Sequence, residues 1–160
     1  MRKKVILVLL FVLGTMSAQK TEGQVLNLGK DPDNTISYVN VYKAIVEMGI
    51  KFPDIVFAQA ILESGNFKSK LTKLNNNLFG MKLAKVRETT AIGKGKGGYA
   101  KYETWIHSIE DYSHWQNFMM KNKDLSRKQY LNLLGKIYAT DRFYVSRLNR
   151  KIKEYQYITD

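Results

Sequence analysis

The sequence predicts a mainly α-helical domain carrying one small β-hairpin lobe. Three observations support that expectation. Apolar residues recur every three or four positions in several segments, capping residues stand in front of some of them, and one glycine-rich stretch alone has the composition of turns and strands. With 160 residues and 44% hydrophobic content, the chain can bury the core of one domain and has little room for a second.

Residues 1–19 differ in kind from the rest. Arg2, Lys3 and Lys4 precede an unbroken apolar run of nine residues, Val5 to Leu13, and the small or polar Gly14, Thr15, Ser17 and Ala18 follow. This is the layout of a secretory signal peptide, with cleavage expected near Ala18 or Gln19. As a membrane anchor the run is too short, because a spanning helix needs about 20 apolar residues. The mature protein is therefore expected in the periplasm or outside the cell, with no stable membrane insertion. It has no cysteine, so its core must hold without disulfides and no lipid can be attached through a thiol. Residues 20–36, KTEGQVLNLGKDPDNTI, mix Gly, Pro, Asp and Asn without helical periodicity and read as a flexible N-terminal tether. The folded domain is expected over residues 37–160.

From Tyr38 to Met48, the residues Tyr38, Val41, Tyr42, Ile45 and Met48 form one apolar stripe, and Gly49 ends the helix. Pro53 followed by Asp54 opens a second helix reaching about Ser64, since proline loses nothing in the first turn and a carboxylate there suits the helix dipole. Lys85 to Trp105 combines four glycines with Thr-Thr and flanking tyrosines, which predicts the hairpin lobe between the second and third helices. Ser108 with Asp111 resembles a capping box opening a third helix, and Ser126 with Gln129 a second box, with Leu125 and Tyr130 placed for a hydrophobic staple. A last helix from about Arg142 to Tyr155 should turn Phe143, Leu148, Ile152 and Tyr155 inward.

The formal charge is +12, of which the leader's three cations supply three, leaving +9 on the mature part. That favours an anionic partner or surface. The lysines are scattered rather than gathered in one block, and an exported protein meets little nucleic acid, so envelope polymers are the better match.

The chemistry centres on AQAILESGN, Ala58 to Asn66. On the second helix Val56, Gln59, Ala60 and Glu63 share one face, and Ile55, Ala58 and Leu62 another. Glu63 therefore sits beside the apolar stripe, one turn from the helix end. A carboxylic acid held against apolar neighbours keeps its proton to higher pH, which is what a general acid needs.

Four ordered motifs surround that glutamate: the AQA-LESG helix itself, Asn76-Asn77-Leu78-Phe79-Gly80-Met81-Lys82, the stretch YETWIHSIEDY from Tyr102 to Tyr112, and Tyr138-Ala139-Thr140-Asp141. Together they resemble the glucosaminidase family of peptidoglycan hydrolases, glycoside hydrolase family 73, and the resemblance covers most of the mature chain. It implies a lysozyme-like helical domain that cleaves β-1,4 links at N-acetylglucosamine in peptidoglycan glycan strands. It also implies Glu63 as the acid protonating the leaving oxygen, Tyr138 as a cleft tyrosine, and Asn76, Asn77, Phe79, Gly80 and Tyr102 as residues shaping or binding at the cleft.

The family places a second carboxylate on the β lobe. Between Glu63 and Glu103 the only acid is Glu88, so by elimination Glu88 is the candidate, with Glu103 and Asp111 as alternatives. Without a partner, the substrate's acetamido group could act as nucleophile, or Glu63 alone could cleave as in a lytic transglycosylase. A non-catalytic glycan-binding module is a further alternative. No cofactor is expected, and the lone histidines His107 and His114, seven apart, do not form a metal site. The protein is expected to act as a monomer.

Overall fold

The computed structural model describes residues 35–121, 123–138 and 141–160. The expected leader and all but the end of the tether lie outside these residues, as do Ala139 and Thr140 of the fourth motif.

The described residues form a helical body with a small antiparallel lobe, as the sequence predicts. Helix α1 spans Tyr38–Glu47, capped by the Ser37 hydroxyl accepting from the Asn40 N–H, and Gly49 follows its end with φ +64°. Helix α2, Pro53–Glu63, starts with proline in its first turn. Asp54 does more there than face the dipole: both oxygens accept from Arg127, at 2.8 and 2.6 Å.

Every residue of α2 from Ile55 to Ile61 is buried, so the two faces read from the sequence are both core. The reason is position: α2 runs between α1 on one side and α6, Tyr144–Glu154, on the other. A helix enclosed all round cannot show an amphipathic stripe.

The sequence missed α3, Lys70–Asn75, capped by the Ser69 hydroxyl accepting from the Thr72 N–H. It has six residues and buries only Thr72, too little for periodicity to reveal. The lobe therefore follows the third helix rather than the second, and its strands are short. β1, Gly93–Lys94, pairs antiparallel with β2, Ala100–Lys101, in the register Gly93 to Lys101 and Lys94 to Ala100.

Helix α4, Trp105–Met120, begins three residues before the predicted cap. Thr104 and His107 form the capping box, while Ser108 lies inside the helix and donates to the Trp105 carbonyl at 2.8 Å. Helix α5, Arg127–Ile137, has the predicted Ser126–Gln129 box. In α6, Leu148 is buried, but Phe143 is 57% exposed because it precedes the helix and Tyr144 takes the inward position. The short α7, Gln156–Thr159, closes back on α1. Among the described residues, no helix is long and apolar enough to cross a membrane.

Candidate active site

Glu63 is the last residue of α2, where the buried helix reaches the surface, and its side chain is half-buried. It lines a pocket of about 220 Å³ with Leu62, Tyr138, Asp141, Tyr144 and Arg147. Tyr138 also lines a second cavity of about 360 Å³, walled by Gly80 to Ala84, Arg87, Tyr112, Trp115 and Ile137. Tyr138 lines both cavities, and together they make up the candidate groove.

The Asn-rich loop forms one wall. Asn77 is buried and acts on backbone: its amide donates to the Met81 and Ala100 carbonyls, at 2.9 and 3.0 Å, and its oxygen accepts from the Met81 N–H at 3.1 Å. Asn76 sits at φ +52° at the end of α3 and donates to the Tyr102 and Glu103 carbonyls, at 3.2 and 2.8 Å. Phe79 is 1% exposed with its ring 4.3 Å from that of Tyr112. The recorded hydrogen bonds and packing of these three side chains hold the loop. Gly80 has φ +63°, and a Cβ there would lie 3.8 Å from a Glu63 carboxyl oxygen. That spacing would admit a Cβ, so it is the left-handed φ that favours glycine here.

Tyr102, expected to bind substrate, does not reach the groove. It is 1% exposed, and its hydroxyl donates to Asp111 at 2.6 Å. Asp111 is likewise not a helix cap: it is wholly buried and held by the Arg87 guanidinium at 2.7 and 3.1 Å. Burial alone would raise its carboxyl, but the Arg87 and Tyr102 hydrogen bonds outweigh burial and hold it below the usual range. Glu88, the predicted partner of Glu63, stands on the lobe with its side chain 79% exposed, 3.6 Å from His114, and lines neither cavity. Glu103 also lies outside both. Among the described residues, no group of three or more His, Asp or Glu could hold a metal ion.

The electrostatics at Glu63 run the other way from those at Asp111. Burial raises its carboxyl, and the nearby Tyr144 hydroxyl and Arg147 charge only partly offset the rise. Burial, reinforced by Glu63, pushes Tyr138 up to about 12 and raises Tyr144 as well. The tyrosines stack with centroids 4.2 Å apart at 4°. The Tyr144 hydroxyl is buried and completes no hydrogen bond, yet it lies near enough to Glu63 to favour the carboxylate. Asp141, the second acid of the Glu63 pocket, is ion-paired with Arg147 and accepts from the Phe143 N–H at 3.0 Å.

Sequence reasoning assigned no role to Asp141, Tyr144, Arg147 or Gln59. Asp141 stood inside a quoted motif, and Gln59 was a polar residue within an apolar helix, a signal that could have marked it. Tyr144 and Arg147 converge on Glu63 only because α6 packs along α2.

A half-buried acid whose carboxyl is raised by burial, set among tyrosines, suits glycosidase chemistry. Residues 39–157 match the glucosaminidase family model, described as mannosyl-glycoprotein endo-beta-N-acetylglucosaminidase, and the chain belongs to this family. It is 35% identical over 127 residues to an N-acetylmuramoyl-L-alanine amidase domain-containing protein of Staphylococcus aureus, covering 66% of this chain and 20% of that protein. It is 29% identical over 126 residues to the exo-glucosaminidase LytG of Bacillus subtilis, covering 64% and 44% respectively. The chain thus spans less than half the length of either relative. Among solved structures, the catalytic domain of the autolysin Auto from Listeria monocytogenes superposes with a TM-score of 0.55 at 26% identity, over 81% of this chain and 88% of that one.

Proposed function

We propose that the protein is an exported peptidoglycan hydrolase that cleaves β-1,4 glycosidic bonds at N-acetylglucosamine, with Glu63 as the general acid. One observation carries the reading: the Glu63 carboxyl is raised by burial and opens onto the groove shared with Tyr138. A glycan strand laid past Tyr138 brings a glycosidic oxygen to Glu63, which protonates it as the bond to the anomeric carbon breaks; water then adds to that carbon, and its released proton restores the Glu63 carboxyl. The family membership and the leader-like residues 1–19 support a substrate outside the cytoplasm. The purified mature domain should clear a peptidoglycan suspension and release fragments with reducing N-acetylglucosamine ends. Muramic acid at the reducing end would refute this specificity.

A second reading is supported by the position of Glu88. With that acid outside the groove and Asp141 ion-paired, Glu63 could act as the sole carboxylate, as in a lytic transglycosylase. Anhydro-muramic ends would establish that chemistry in place of hydrolysis. If the protein binds glycan strands yet turns them over no faster than Glu63→Gln, it is a binding module.

A further inference from the structure

Behind Tyr138 runs a chain of buried polar side chains. The Tyr138 hydroxyl receives a hydrogen bond from the Gln59 amide at 3.1 Å, and the Gln59 carbonyl oxygen accepts from the Tyr112 hydroxyl at 2.6 Å. The Tyr112 and Tyr130 hydroxyls are 2.6 Å apart, and the Gln116 amide donates to Tyr130 at 2.9 Å. Gln116 ends the chain on backbone: its oxygen accepts from the Lys51 N–H at 3.0 Å, and its nitrogen donates to the Lys51 carbonyl at 2.9 Å.

That end fixes the direction of the rest. A backbone N–H can only donate and a carbonyl can only accept, so the Gln116 amide has one possible orientation, with its nitrogen toward Tyr130. The Tyr130 oxygen therefore accepts, and its own proton has only Tyr112 to go to. If Tyr112 donated to Tyr130 instead, the proton of Tyr130, which is wholly buried, would have no acceptor, the costly arrangement. Tyr112 then accepts from Tyr130 and donates to Gln59, which turns the Gln59 nitrogen toward Tyr138. The Tyr138 oxygen accepts in its turn. Beside it stands the Tyr144 hydroxyl, on the ring stacked against Tyr138 and itself without a completed hydrogen bond. Among the described residues no hydrogen bond takes up the Tyr138 proton, which leaves it for an acceptor in the cavities that Tyr138 lines.

We propose that Gln59, Tyr112, Tyr130 and Gln116 are positioning residues that hold the Tyr138 hydroxyl as a hydrogen-bond donor into the groove, aimed at an acceptor oxygen of the bound N-acetylated sugar. The assignment rests on the glycosidase reading and adds a direction to it. Tyr138 stays protonated throughout the working range, as a fixed donor must, because burial keeps its ionisation far above neutrality. The backbone of Lys51, two residues ahead of α2, thus sets the polarity of the Tyr138 hydroxyl. A chain of this kind gains from mutual polarisation, and a break at one link is felt at the end.

The test is a double-mutant cycle of wild type, Tyr112→Phe, Tyr138→Phe and the double variant, measured on peptidoglycan. Tyr112→Phe should lower kcat about tenfold with KM within about twofold, since one donor's orientation is lost. In the Tyr138→Phe background it should cost nothing further, because the hydroxyl it orients is gone. An equal loss in both backgrounds, or wild-type kcat in Tyr138→Phe, would overturn the assignment. Melting curves establish folding, and if Tyr112→Phe does not fold, Tyr130→Phe replaces it with the same non-additivity expected. Glu63→Gln, assayed in parallel, separates the two failures: if it turns over like wild type, the glycosidase reading falls on its own. The cycle is then read as affinity for an N-acetylglucosamine tetramer by calorimetry, where additive losses would again refute the assignment.

Discussion

Glu63 and Asp111 are two carboxylic acids taken out of water by the same fold, and they end in opposite states. Asp111 receives a two-pronged Arg87 guanidinium and the Tyr102 hydroxyl, and is held below the usual range despite burial. At Glu63 the Tyr144 hydroxyl and the Arg147 charge offset burial only in part, and the carboxyl is raised. Burial alone decides neither case; the number and geometry of donors do. One acid pairs the lobe with α4, and the other is left raised, as the proposed proton donor must be.

The contrast breaks most sharply at Glu63. Glu63→Gln keeps the shape and removes the transferable proton, so turnover should fall about 10³-fold with no loss of thermal stability. The matching change at Asp111 should do the reverse. Asp111→Ala leaves a nearly buried guanidinium without its partner, and should cost on the order of 3–5 kcal/mol in denaturant unfolding, with any residual folded protein still active.

The acids inside and outside the groove give a finer comparison. Asp141→Asn should lower kcat at least about tenfold, because Asp141 faces the Glu63 pocket and restrains Arg147. Glu88→Gln should stay within about twofold of wild type, as its side chain is exposed and its ion-pair partner is His114, outside both cavities. A large loss in Glu88→Gln would restore it as the partner carboxylate.

The two carboxyls should also oppose each other in the pH dependence of stability. In the window between its ordinary value and its raised folded one, Glu63 binds more protons folded than unfolded, so its contribution falls as pH rises there. Asp111 binds fewer protons folded than unfolded, so its contribution is present above the ordinary carboxylate range and is lost as pH drops through its lowered folded value. Urea titrations of Glu63→Gln against wild type should show the variant gaining relative stability as pH rises toward neutrality. A constant difference would refute the raised carboxyl.

The legible parts of the sequence were those with local causes. Stripes at three- and four-residue spacing marked α1 and α6, Pro53 and Ser126 marked helix starts, and Glu63 stood out against Ile61 and Leu62. What stayed hidden depends on distant pairings. Arg87 finds Asp111 from 24 residues away, so Asp111 read as a cap, and Tyr102 read as a binding residue although its hydroxyl completes that buried pair. The Ser108 box failed because Thr104 is an equally good cap one turn earlier and His107 reciprocates. Elimination along the chain pointed to Glu88, but the groove's second acid comes from Asp141, brought in just ahead of α6.

The central claim, that Glu63 holds its proton into the working range and delivers it, is tested most directly by a carbon-13 NMR titration of the Glu63 carboxyl set beside the pH profile of kcat/KM. The expected result is a Glu63 titration above the ordinary carboxylate range, coinciding with the alkaline fall in kcat/KM. Titration of Glu63 at or below the ordinary range, or a fall in activity at an unrelated pH, would contradict it.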